Sequence, residues 1–246
     1  MTLDAMILRR KARLDALRPL DPKSVGALDA WYDVELTYSS NAIEGNSLTR
    51  AETAVILEKG ITVGGKPLKD HLEAIDHADA LGFVRALVET GEPIRESDVR
   101  AIHGLVLGRS NREEAGRYSA HQRAIRGSTL MLPSPAEIAP LMGDMAHWLK
   151  TAPLEHETAF EAHYRLVTIH PFSDGNGRTA RLVMNLLLLK AGHPPVAIEP
   201  RHRERYVEAL DARQTGGDRT AYDLLMREQL LASLDRYVDH LQRAGR

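Results

Sequence analysis

Apolar residues recur every three to four positions along most of this chain, and Gly, Pro and polar clusters cut that pattern into segments. A period of this kind marks one buried face of a helix. Residues 1–20 read as a short amphipathic helix closed by Pro19 and the Asp21-Pro22 pair. A second helix is expected from about Ser24, with Ala27, Leu28, Trp31, Val34 and Leu36 inward, continuing into Ser40-Asn41-Ala42-Ile43-Glu44-Gly45-Asn46. Thr49-Arg50-Ala51-Glu52 has capping-box spacing, which predicts a helix start there and an end at Gly60. Gly64-Gly65 marks a turn, Pro67 opens a helix to about Glu89, and Gly91-Glu92-Pro93 punctuates again. From Pro93 to Gly108 a helix should bury Ile94, Val99, Ile102, Leu105 and Val106; His103 falls in that row and reads as structural.

The period then changes. Arg109 to Arg117 is a polar loop, and Gln122 to Leu132 alternates imperfectly about Gly127-Ser128, the pattern of a hairpin with a central turn. Ser134-Pro135-Ala136-Glu137 combines a capping box with proline at the first helical position, a strong start signal. That helix turns Ile138, Leu141, Met142, Met145 and Trp148 inward, and after Pro153 another runs from about Glu155 to Ile169. Leu182 to Leu189 reads as a buried helix ending at Gly192, ahead of Pro194-Pro195. A charged helix, Glu199 to Gln214, and a final amphipathic one, Thr220 to Arg243, close the chain.

Composition narrows the classes of function. The 246 residues allow one large domain, or one domain with an extension, and a substantial core. A net charge of −2 gives no electrostatic case for nucleic acid or an anionic membrane. No cysteine is present, which removes disulfides, thiolate metal sites and cysteine nucleophiles, and suits a reducing cytoplasm. No apolar run approaches the roughly 18 residues of a membrane span. Asp4 and Arg9-Arg10-Lys11, with no apolar stretch after them, do not make a signal peptide. His156, Glu157, Glu161 and His163 lack HExxH spacing and a third ligand, so they read as surface residues plus a packed His163 rather than a zinc site.

The chemistry concentrates in His170-Pro171-Phe172-Ser173-Asp174-Gly175-Asn176-Gly177-Arg178-Thr179-Ala180-Arg181, between two apolar runs. Proline disfavours helical dihedrals in the residue before it, so the incoming helix should stop at His170 and expose its ring. Imidazole titrates near neutrality and can take a proton from a hydroxyl. Asp174 is a hard oxygen ligand suited to a Mg²⁺ shared with phosphates. Gly175 and Gly177 let backbone N–H groups approach an anion at a helix start. Arg178 and Arg181, three apart on that helix, could turn both forks to one polyanion.

This stretch resembles the Fic family motif HPFx(D/E)GNGRxxR at every defined position, and the likeness extends more loosely from roughly Pro93 to Leu210. The resemblance implies an all-α fold: a Fic-type helical core with a small β-hairpin flap, plus N- and C-terminal helices. It divides the chain into an N-terminal helical region (1–92), a catalytic core (93–192) and C-terminal helices packed on it (193–246). It implies transfer of AMP from ATP onto a Ser, Thr or Tyr hydroxyl of a protein, with Mg²⁺. His170 is then the general base. Asp174 holds the metal; Gly175, Asn176, Gly177, Arg178, Thr179, Ala180 and Arg181 form the nucleotide site, with Asn176 at the α-phosphate and both arginines at the outer phosphates. The flap's nucleotide-facing part falls on Gly127, Ser128 and Thr129, and its backbone pairs with the target segment as an added strand. At Tyr206, relatives place an aromatic against the nucleobase; the other reading is an amphipathic surface tyrosine.

Ser40 to Gly45 matches the (S/T)xxxE(G/N) pattern of the family's inhibitory helix, with Ser40, Glu44 and Gly45 at its defined positions. There Glu44 would satisfy the Arg181 fork that a γ-phosphate needs; the alternative is an ordinary solvated glutamate near a helix end. Two other functions remain open: a hydrolase removing AMP with a water oriented by Glu44, and a non-catalytic nucleotide-responsive binding module. Self-modification and homo-oligomerisation accompany the resemblance; a membrane or nucleic-acid partner does not.

Overall fold

The computed structural model describes residues 2–125 and 128–244. Ten α-helices account for most of them: α1 (Leu3–Asp15), α2 (Pro22–Ile43), α3 (Arg50–Lys59), α4 (Leu68–Glu89), α5 (Glu96–Val106), α6 (Pro135–Thr151), α7 (His156–Ile169), α8 (Asn176–Lys190), α9 (Arg203–Gly216) and α10 (Thr220–Ala244). The expected caps form. Asp21 accepts from the Ser24 N–H at 2.9 Å with Pro22 at the first helical position. Thr49 and Glu52 exchange both capping-box bonds, and Gly60 closes α3 in the left-handed conformation only glycine adopts without cost. Ser134 and Glu137 do the same at the start of α6.

Helix α8 is the axis of the fold. From Arg178 to Leu188 every residue is buried, because α7, α4, α5 and α2 pack around it. Each fully buried Leu, Val or Met contributes about 1.5–3 kcal/mol relative to exposure, so this element anchors the core. Its polar residues must find partners inside: Asn185 donates to the Val196 carbonyl and accepts from the Val196 N–H, which pins the chain after Pro195. Helix α1 lies along α10, and α10 in turn meets α2 and α9. Leu48, Ile56 and Ala74 form a satellite core joining α3 to α4. No described helix is long and apolar enough to cross a membrane.

Two expectations change. Helix α1 stops at Asp15 rather than near Leu20. Gln122 to Leu132 carries no strand pairing among the described residues; its arms meet through the Gln122 side chain, which donates to the Leu132 carbonyl at 2.9 Å. Ahead of this segment, an isolated antiparallel β-bridge joins Tyr118 to Phe172. Imperfect alternation supplies no continuous apolar face to hold two strands together.

Candidate active site

Helix α7 ends at His170, which takes φ +50 and ψ 53, a left-handed conformation unusual for a non-glycine residue. The proline after it excludes the helical alternative, so the sequence itself enforces the stop. The ring is largely enclosed. Its Nδ1 lies 3.3 Å from the Val167 carbonyl. A carbonyl only accepts, so Nδ1 carries the proton and Nε2 keeps its lone pair. Burial pushes the imidazole below its ordinary value, against the opposing pull of the Val167 carbonyl and of Glu44, so the ring is neutral at pH 7.

The turn that follows is held by groups other than the reacting ones. Asn176 accepts from the Phe172 N–H at 2.9 Å and donates to the Phe172 carbonyl at 2.8 Å. Its side chain thus anchors the turn through one donor and one acceptor bond. Gly175 sits at φ +72 against His103, where a Cβ would press on the ring at 3.4 Å. His103 accepts from the Gly116 N–H at Nδ1, bonds the Asp174 carbonyl through Nε2, and stacks on Phe172 with centroids 3.6 Å apart. The structural reading of His103 thus gains a specific content: it fixes the motif's shape. Thr179 and Ala180 are fully buried under the turn.

The two arginines have different surroundings. Arg178 is 2% exposed; its Nη1 lies 3.2 Å from Glu73 of α4 and its Nη2 3.4 Å from Asp174. Packing of α4 beside the first turn of α8 draws it under the loop. Arg181 does reach the cavity. Its Nε donates to Ser40 Oγ at 3.0 Å, and its Nη2 to the Ser40 carbonyl at 2.9 Å and to Glu44 Oε1 at 2.7 Å. Burial works against the Arg181 charge, but Glu44 and Tyr206 outweigh it and hold the guanidinium more firmly protonated. Glu44 caps α2, and Gly45 at φ +94 turns the chain away behind it. Glu44 Oε1 lies against Gly177, so close that any Cβ there would collide with it. The carboxylate therefore occupies the N-terminus of α8, where unpaired N–H groups favour an anion.

Glu44, His170, Gly177, Arg181, Ser128 and Tyr206 line one cavity of about 370 Å³. Ser128 bonds Asp211 of α9 at 2.5 Å, Thr129 is exposed beside it, and Gly127 lies outside the described residues. Asp174 is not part of that lining. It is half-exposed on the turn, with Oδ1 accepting from the Gly175 N–H at 2.6 Å. Tyr206 offers no open ring face: it is 3% exposed, and its hydroxyl meets His163 Nε2 at 2.8 Å. Next to it on α9 the apolar side chain of Val207 is 45% exposed. Away from this site, His156 is buried, contrary to its reading as a surface residue. Asp4 of α1 supplies a third carboxylate or imidazole ligand within 4.8 Å of His156 and Glu157, but Arg227 already neutralises Asp4 at 2.5 Å.

The same arrangement recurs in known proteins. The Fic/DOC family sequence model matches residues 93–188, which include α5 to α7 and most of α8. The chain is 41% identical over 184 residues to the protein adenylyltransferase Fic of Nematostella vectensis, covering 73% of this chain and 43% of that protein. It is 39% identical over 188 residues to the protein of that name from Aedes aegypti, covering 74% and 37%. It thus spans less than half of the curated relatives it matches. Among solved structures, a Fic domain containing signaling protein from Bacteroides thetaiotaomicron superposes with a TM-score of 0.88 at 26% identity, over 96% of this chain and 97% of that one. A fragment of Fic-1 from C. elegans superposes at 0.86 with 30% identity, over 98% and 73%. Agreement with that fragment runs through nearly the whole chain, so the chain belongs to the Fic/DOC family.

Proposed function

We propose that this chain is an auto-inhibited protein adenylyltransferase, moving AMP from ATP onto a hydroxyl side chain of a protein. The observation that carries the reading is the convergence of a neutral, half-enclosed imidazole and an anion-seeking helix N-terminus in one cavity, with a carboxylate seated where phosphate belongs. His170 Nε2 takes the proton from the target hydroxyl as its oxygen bonds to the α-phosphorus. The bond from that phosphorus to the bridging oxygen breaks, and pyrophosphate leaves. Gly177 and its neighbours offer N–H groups to the phosphates, and Arg181 takes the outer ones. The work is placement and electrostatics, as in other phosphoryl chemistry. Asp174 suits a Mg²⁺ that completes its shell from phosphates and water, since Oδ2 has no partner among the described residues. When bound, the ion would neutralise phosphate charge. The open backbone of Gln122 to Leu132 would accept a target segment edge to edge.

Inhibition follows from the same geometry. Glu44 holds Arg181 and fills the helix N-terminus, so ATP enters with its outer phosphates displaced. A second reading draws on the exposure of Glu44, whose side chain is 39% accessible within the cavity. There it could hold a water for removal of AMP from a modified protein. Intact-mass measurement of a cell extract's proteins incubated with ATP and Mg²⁺ separates the readings. A gain of one AMP supports transfer, loss from modified proteins supports hydrolysis, and neither leaves a nucleotide-responsive binding module.

A further inference from the structure

Behind Arg181 lies a line of buried polar groups that the transfer reaction does not itself require. His163 sits in the middle of α7, wholly buried, with Nε2 2.8 Å from the Tyr206 hydroxyl and Nδ1 2.7 Å from the Tyr222 hydroxyl. Tyr222 donates to the Phe160 carbonyl at 2.9 Å. Tyr206 in turn lies beside the Arg181 guanidinium at the wall of the cavity. Proton positions along this line are forced. The Phe160 carbonyl can only accept, so it uses the single proton of Tyr222. Tyr222 must then accept from His163, which places the imidazole proton on Nδ1. Burial lowers His163 to a pKa of about 3, so the ring is neutral and its Nε2 can only accept. Tyr206 therefore gives its proton to His163, which leaves its lone pairs available to the guanidinium beside it. Both phenols are pushed upward by burial and stay protonated, so no alternative arrangement competes near pH 7.

We propose that His163 is a positioning residue for phosphate binding: through Tyr206 it presents a fixed acceptor to Arg181 and keeps the fork aimed when Glu44 lets go. Arg181 has two other kinds of acceptor, Ser40 and Glu44, and both belong to the inhibitory helix. Tyr206 belongs to α9 and is independent of that helix. With Glu44 released, Ser40 holds the guanidinium from one side, and an acceptor of fixed direction on α9 holds it from the other. The line thus supplies the half of the Arg181 environment that does not depend on the inhibitory helix.

The inference rests on Arg181 binding the outer phosphates, and the test separates the two claims. In the Glu44→Gly background, calorimetry measures affinity for ATP and for AMP, which shares the base, ribose and first phosphate but lacks the outer ones. The background protein should prefer ATP. Tyr206→Phe keeps the ring and removes only the hydroxyl; it should lower the ATP-to-AMP preference roughly tenfold, the scale of one hydrogen bond to a charged group. His163→Phe should do the same, and His163→Gln, whose amide can accept from Tyr206 and donate to Tyr222, should retain most of the preference. A merely structural role would weaken both nucleotides together or lower the melting temperature alone. An unchanged ATP-to-AMP preference in Tyr206→Phe, or an equal loss for both nucleotides, overturns the inference while leaving the proposed activity standing. A background protein with no preference for ATP over AMP sinks both.

Discussion

Replacing Glu44 by glycine should raise AMP labelling well above that of the parent chain. Glu44 Oε1 accepts from Arg181 Nη2 at 2.7 Å and lies against Gly177, so the substitution vacates the guanidinium and the helix N-terminus together. Arg181 keeps its two contacts to Ser40, so its position on that side survives. A hydrogen bond to a charged group is worth about 1.5–3 kcal/mol. The side chain is 39% exposed, so water repays part of its loss, and the lower bound is the better guide. About 1.4 kcal/mol corresponds to tenfold, so labelling should rise by roughly ten times or more. Glu44 occupies the cap of α2 at φ −85 and ψ 1, open to any residue, so neither glycine nor alanine is strained there. Glu44→Ala should therefore show the same sign. The assay is intact-mass detection of AMP on target proteins or on the chain itself, with ATP affinity measured in parallel. Arg181→Ala in the Glu44→Gly background should reverse most of the gain. If Glu44→Gly labels no faster than the parent while both bind ATP alike, inhibition by Glu44 is refuted and the water-orienting role moves ahead.

Other outcomes follow from the same geometry. His170→Asn, which tolerates the left-handed backbone at φ +50, should abolish labelling yet retain ATP binding; more than a tenth of the parent rate would remove His170 from the role of base. Because burial lowers His170, the neutral, active form persists below the usual histidine value, and the acidic limb of the rate profile should fall below pH 6.5. Excess chelator should stop labelling, and Asp174→Asn should raise the Mg²⁺ concentration needed; a rate indifferent to chelator refutes the metal's role. His77 and His163, both at about 3 when folded and near 6.5 when unfolded, bind protons preferentially in the unfolded chain between those values. Stability should therefore be fully present above pH 6.5 and decline as pH falls toward 3, by up to roughly 1.4 kcal/mol per pH unit for each ring, which denaturant melts at several pH values would measure.

What the sequence disclosed was what short-range physics writes into it. Thr49 with Glu52 and Ser134 with Glu137 announce helix starts because both partners of each bond lie within one turn. His170-Pro171 announces a stop for the same reason. Contacts between distant elements are not written that way. Arg178 and Arg181 looked equivalent at a spacing of three, and only α4, which brings Glu73 beside Arg178, makes them different. Tyr206 looked like a base platform or a surface ring, and burial at the cavity wall with its hydroxyl on His163 of α7 rules out the surface ring. His103 could be placed in a buried row but not assigned its task, since Gly116 and Asp174 come to it from two separate loops. One signal was available for His163: a histidine in an apolar row must find polar partners, and the later helices offer Tyr206 and Tyr222.

Arg181 also ties the proposed inhibition to stability, which leads to a last prediction. A buried guanidinium needs an anion, and Ser40 supplies only neutral oxygens. Without nucleotide, Glu44 is the charge that meets that need; with nucleotide, phosphate takes its place. The inhibitory contact is therefore also a folding contact, and its removal should lower the melting temperature of the nucleotide-free chain. A loss of about 1 kcal/mol at this chain length corresponds to roughly 2–4 °C. ATP should then restore more than it gives the parent, because it binds the variant more tightly. A ligand at about 100 times its Kd adds roughly 2.7 kcal/mol, and a tenfold gain in affinity raises that by about 1.4 kcal/mol. Thermal melts of parent and Glu44→Gly, with and without MgATP, would read both shifts. A variant as stable as the parent without nucleotide would mean that water, not Glu44, satisfies Arg181. The exchange of carboxylate for phosphate would then lose its thermodynamic basis, even if the variant labels faster.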